Sequence, residues 1–338
     1  MKRDWIKISS IYVGTVIGAG FASGREIIEF FGIYGLKGIL GMIIAGILFS
    51  LVGSVLLIKI YNNKIKSFNE LINRIFGEKI GFIIDTIIVF SLYTGFSVMI
   101  SGSGAIFKEE LGLSYNLGII VMVVFSFMVF LFSLEGLSFI NTILVPLIII
   151  GIIFTSIYIG IGEGYNFSNI QGIRLSKKGN FLSSAFLYVG SNSLIILVVF
   201  SSLLPLIKDK KTAILGGTAG GFTLGILGIS ILTLTLIYYN EIFQLEIPML
   251  KICDYIGYNY RIVYAIILWI AMFTTALAQG FGFINRLEEG KYKLLFTVLF
   301  CISAIPLAKL GFSNLVGVLY PVFGFIGALV MGVVLVKL

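Results

Sequence analysis

The chain has 338 residues, of which 58% are apolar and 12% charged, with a formal net charge of +8 and a mean hydropathy of +1.08. That hydropathy excludes a soluble globular protein, and apolar segments of about 20 residues recurring along the whole length predict a polytopic helical membrane protein. The basic surplus clusters in short loops, where it sets topology, so it implies no nucleic-acid partner. With no histidine and only two separated cysteines, Cys253 and Cys301, a zinc or copper site and a disulfide are both disfavoured.

Ten spans are predicted within a single transmembrane domain covering 1–338. The first, 5–32, is opened by Lys2, Arg3 and Lys7 but is too long for a signal peptide, and is read as retained. It contains Gly14, Gly18, Gly20 and Gly24, a glycine density that costs roughly 1 kcal/mol of helix stability per residue. A helix broken inside a membrane must be buried in protein or line a wet cavity. The second span is 36–60. A polar connector, 61–79, follows; its Ser67-Phe68-Asn69-Glu70 start and its Leu71, Ile72, Ile75, Phe76 stripe predict a short amphipathic interfacial helix. The third to fifth spans are 80–106, 116–134 and 138–162.

The sixth span, 181–206, is predicted to be interrupted at Gly190-Ser191-Asn192-Ser193. The seventh, 212–238, carries Gly216, Gly217, Gly220 and Gly221 at four-residue spacings suited to close helix packing. The loop 239–258 is expected to form a short surface helix, and the last spans are 260–285, 291–309 and 312–336. With the N-terminus in the cytoplasm, 15 basic residues lie inside and 8 outside, Arg25 being set aside, so both termini are assigned to the cytoplasm. Breaks in the first and sixth spans divide the chain into two inverted halves, 5–162 and 181–336, and matching interruptions of this kind mark transporter binding sites.

Several polar residues sit within or near the membrane. Arg25 and Glu29 are spaced to pair across one helical turn. Asp85 lines an inward pathway, takes up a proton or pairs with Lys79, and Gln279 is a second pathway candidate. Arg3 with Glu288 or Glu289 is a candidate inner gate. In the eighth span Thr274 and Thr275 are adjacent hydroxyls, satisfied either by their own preceding carbonyls or by a hard cation.

The run Val16-Ile17-Gly18-Ala19-Gly20-Phe21-Ala22-Ser23-Gly24-Arg25-Glu26 resembles the signature of the YkvI-type amino-acid permeases of bacteria. That family is similar to the amino acid–polyamine–organocation superfamily. The resemblance implies an all-α integral membrane protein with the LeuT-type 5+5 inverted repeat, broken in its first and sixth helices. It implies a substrate carboxylate at Gly18, Ala19 and Gly20. The substrate amino group then falls at Gly190, Ser191, Asn192 and Ser193, with Tyr93 closing over it and Phe21 and Tyr188 as walls. It also implies a sodium site made from Gly14, Ile17, Ala271, Thr274 and Thr275, and an extracellular gate at Arg25.

The function expected is sodium-coupled symport of a small amino acid or related zwitterion across the bacterial plasma membrane. Sodium is the coupling ion, no other cofactor is implied, and no obligate protein partner is inferred. One rival couples transport to protons through Asp85 or Glu26. Another is a nutrient-sensing receptor on the same fold. No nucleophile–base pair points to an enzyme.

Overall fold

The computed structural model describes residues 4–131, 137–162, 164, 180–284, 286 and 292–338, with side chains left undescribed at 137–142. Among the described residues there is helix and no strand. The first predicted span is divided into α1 (Asp4–Val16), α2 (Ala19–Ala22) and α3 (Arg25–Phe30). Then come α4 (Leu36–Asn63), α5 (Phe68–Glu109), α6 (Tyr115–Phe130), α7 (Leu137–Gly162), α8 (Phe181–Ser201) and α9 (Lys210–Ile237). The chain closes with α10 (Tyr239–Ile242), α11 (Pro248–Asp254), α12 (Tyr258–Ile284), α13 (Lys293–Ala308) and α14 (Phe312–Lys337). Seven helices, α4, α5, α7, α8, α9, α12 and α14, are long and apolar enough to cross a bilayer, while α6 and α13 are apolar but shorter.

Local chemistry sets the helix ends. Ser67 caps α5 by accepting from Glu70 N at 3.2 Å, and the Glu70 carboxylate returns to Lys66 N at 2.9 Å. Gly77, at φ 73° and ψ 171°, then bends the chain, so the amphipathic first turns lie apart from the long apolar run, as the connector predicts. Asn180 and Ser183 form a reciprocal capping box on α8, and Asp209 accepts from Thr212 N at 2.6 Å to start α9.

The sixth predicted span is not interrupted where the sequence suggests. α8 runs unbroken through Gly190, Ser191, Asn192 and Ser193. Its polar side chains bond back into the helix: Ser191 Oγ and Asn192 Nδ2 donate to Tyr188 O at 2.7 and 3.1 Å, and Ser193 Oγ donates to Val189 O at 2.8 Å. Gly190 is a packing residue, because a methyl group there would lie 2.1 Å from Gly324 O of α14. The expected surface helix in 239–258 is also corrected. α11 buries Pro248, Met249, Leu250, Ile252 and Cys253 and lies against α9 and α12.

The glycines of α9 work on two faces. A methyl group at Gly217 or Gly221 would lie 2.3 Å from Ser54 N or 2.2 Å from Ser50 N, so α4 and α9 touch backbone to backbone. One at Gly220 would lie 2.5 Å from the Tyr12 ring of α1, whose phenol donates to Phe49 O at 2.8 Å. α1 thus packs on α9, as α8 packs on α4, while α5 lies along α12.

Candidate functional site

The break in the first span begins at Gly18, which is extended at φ −97° and ψ −176° and donates to Val16 O at 2.9 Å. That turn frees backbone groups on both sides. Among the described residues no backbone N–H donates to the carbonyls of Gly14 or Ile17, and no backbone carbonyl accepts from the amides of Ala19 or Gly20. Farther on, the freed carbonyls are satisfied. Tyr264 OH donates to Ala22 O at 2.8 Å, and Met249 N donates to Ser23 O at 3.0 Å. Gly24, in the left-handed region at φ 80°, then turns the chain into α3.

Residues of the break border a cavity of about 390 Å³ walled by the break, α5, α8, α12 and α14. Gly14, Ile17, Gly18, Ala19, Gly20, Ser191, Asn192, Thr275 and Gln279 all line it. The Gln279 amide lies over Gly95, where a methyl group would come within 2.4 Å of Oε1, and that buried oxygen has no hydrogen-bond partner among the described residues. A second cavity, of about 840 Å³, lies between α1, α7 and α9 and shares Gly14 and Thr15 with the first.

Other expected residues lie elsewhere. Tyr93 does not close over the cavity; its phenol donates to Ser303 O of α13 at 2.8 Å and its ring meets Phe300. Phe21 and Tyr188 are fully buried in the core rather than on the wall, Tyr188 among Phe30, Phe31 and Phe49. Gly190 and Ser193 are buried off the wall. Thr274 is buried with its hydroxyl on Ala271 O at 3.1 Å, and neither residue reaches the cavity surface.

Arg25 pairs with Glu29 and also donates to Phe243 O at 2.7 Å and Leu245 O at 3.1 Å, fastening α3 to the segment between α10 and α11. Asp85 meets Arg286 at 2.6 Å instead of Lys79. Both side chains are about a third exposed or more, so this surface pair contributes little stability. The inner gate expected from Arg3 with Glu288 or Glu289 falls outside the described residues.

One wall residue changes the chemistry of the site. Glu26 is 6% exposed and folds back so far that a methyl group at Gly20 would lie 2.0 Å from its Oε1. Tyr320 of α14 donates a hydrogen bond to it. It is the one charged side chain on the wall among the described residues. Position along the first span puts Glu26 with Arg25 and Glu29 in its outer half, because nothing in the pattern reveals the left-handed turn at Gly24. Tyr320 carries no signal of its own within an apolar span.

The geometry separates two neighbouring glycines. Alanine at Gly18 meets nothing within 4 Å and suits the backbone, so stability should change by less than about 0.5 kcal/mol. Alanine at Gly20 must push the Glu26 carboxylate aside. Thermal unfolding of the two purified variants should show a loss for Gly20→Ala of about 1–3 kcal/mol and almost none for Gly18→Ala.

No family model matches the chain. It is 30% identical to the membrane protein YkvI of Bacillus subtilis, over 99% of this chain and 96% of that protein. It is 26% identical to the protein YyaD of the same organism, over 96% and 94%. Among solved structures it is similar to the inward-facing conformation of Mhp1, with a TM-score of 0.66, 13% identity and coverage of 98% of this chain and 75% of that one. A substrate-bound, outward-open Na+-coupled sialic acid symporter gives a TM-score of 0.61 at 14% identity, over 98% and 77%. A manganese transporter of Eremococcus coleocola gives 0.60 at 13% identity, over 97% and 77%.

Proposed function

The chain belongs to the YkvI family of membrane proteins and has the fold of the LeuT-type transporters, and from this we propose that it is a secondary transporter of a small amino acid or related zwitterion, coupled to sodium and working by alternating access. One observation carries the reading. The unpaired carbonyls of Gly14 and Ile17, the hydroxyl of Thr275 and the unpaired amides of Ala19 and Gly20 all belong to residues on one cavity wall. Carbonyl and hydroxyl oxygens suit a hard monovalent cation, and free amides suit a carboxylate.

Charge balance favours the same pairing of cargo. A zwitterion, one sodium ion and ionised Glu26 sum to zero, and a neutral set enters a low-dielectric site at the least cost. The matched packing of α1 on α9 and α8 on α4 supports an inverted repeat, and the basic-residue bias supports both termini being cytoplasmic. The second cavity, which meets the first at Gly14 and Thr15, suits the inward exit, and the fastening of Arg25 to the segment between α10 and α11 suits a closed outer side.

A thermal-shift screen of the purified protein against amino acids, with sodium or with potassium at equal ionic strength, tests this. A ligand stabilises the state it binds by mass action, so at least one amino acid should raise the melting temperature, and more so in sodium. Stabilisation of equal size in both salts would remove sodium from the reading.

A further inference from the structure

We infer that Glu26 receives the positively charged nitrogen of the substrate, so that the site admits amines and zwitterions and excludes molecules whose only charge is negative. The inference deepens the proposed function, since it rests on the same cavity being the substrate site. It starts from what α8 lacks. With that helix unbroken, its carbonyls at the cavity remain inside the helix, and Tyr188 O and Val189 O already take the side chains of Ser191, Asn192 and Ser193. A substrate ammonium therefore finds no free carbonyl there and needs another acceptor.

Glu26 on the wall meets that need. Glu26 has two oxygens with about four lone-pair sites, and the hydrogen bond from Tyr320 uses one of them. Glycine at position 20 makes the seat for the carboxylate, because any side chain there would fill the space of Oε1. No lysine or arginine forms an ion pair with Glu26 among the described residues, so the carboxylate lies against the cavity without a protein counter-charge. A buried carboxylate without a cation is costly, and an ammonium from the substrate offsets that cost. A substrate anion would instead meet the one charged wall group at close range with the same sign.

The test uses the purified full-length protein in sodium, with melting temperature measured against each common amino acid, its decarboxylated amine and its deaminated acid. At least one amine-bearing compound should stabilise the wild type, and its deaminated acid should not. Glu26→Gln, which keeps the shape and removes the charge, should weaken binding of that compound about 10–100-fold, the range set by losing one charge-assisted hydrogen bond. Glu26→Asp, which keeps the charge at shorter reach, should weaken it less and preserve the preference for amines.

Stabilisation by a deaminated acid equal to that by its amino acid would overturn the inference, as would a Glu26→Gln affinity within about twofold of the wild type, a difference near 0.4 kcal/mol. Unchanged affinity combined with loss of pH dependence would make Glu26 a proton carrier instead. No stabilisation by any amine-bearing compound would also overturn it. Binding that ignores sodium yet depends on Glu26 would sink the coupling ion and keep this inference; sodium-dependent binding that ignores Glu26 would do the reverse.

Discussion

Leucine in place of Gly221 is expected to leave little or no folded protein in the membrane. The added branch begins 2.2 Å from Ser50 N and 2.5 Å from Ser50 Cα, and these are backbone atoms of α4 that cannot rotate away. Separating α4 from α9 by even one methyl diameter would break a backbone-to-backbone helix contact. It would also pull apart Gly46 and Gly225, where a methyl on Gly46 already lies 2.9 Å from Gly225 Cα. Helix association in lipid relies on close packing, since the solvent is as apolar as the side chains. Overpacking a well-filled interior costs about 1–3 kcal/mol when side chains can adjust, and more where only backbone lies opposite. Size-exclusion profiles of detergent extracts check this. Gly18→Leu, whose side chain begins in open space, is the control and should elute as the wild type does.

Thr275→Ala carries the second large effect, on ion linkage rather than on folding. Thr275 is half-buried on the cavity wall with Gly14 and Ile17, and its hydroxyl has no hydrogen-bond partner among the described residues. Removing an oxygen from the proposed sodium site should weaken sodium binding about 10-fold or more, the scale of one charge-assisted contact. The unliganded protein should keep its melting temperature, because no internal hydrogen bond is lost. Thr274→Ala should behave in the opposite way. That hydroxyl is buried on Ala271 O, so the variant should lose about 1 kcal/mol of stability and retain more of the sodium response. Melting temperature against sodium concentration, for both variants, separates the two roles.

The sequence made the first break legible because glycine density is local, and a local pattern suffices to show a helix that cannot continue. It likewise exposed the glycine seam of α9, since the four-residue spacing is itself the packing device. The supposed break in α8 shows where such reasoning fails. A Gly-Ser-Asn-Ser run looks the same whether its polar groups open the helix or bond back to preceding carbonyls, and only the position of Gly324 explains the glycine. The resemblance puts Tyr93 over the substrate from its depth along a span, which does not fix its azimuth; the phenol turns to Ser303 instead. The sequence names Glu26 as a proton carrier, but its place on the cavity wall is hidden for a related reason. Its direction depends on the left-handed Gly24, and its partner Tyr320 lies nearly 300 positions away in sequence. Helix periodicity carries no information across such a turn or between such distant spans.

Uptake into proteoliposomes tests the central claim most directly. The labelled amino acid that best stabilises the purified protein is offered under an inward sodium gradient, under an equal potassium gradient and with Thr275→Ala. Accumulation that requires sodium and collapses in Thr275→Ala is the predicted result. Equal accumulation in both salts, indifferent to Thr275, would contradict it.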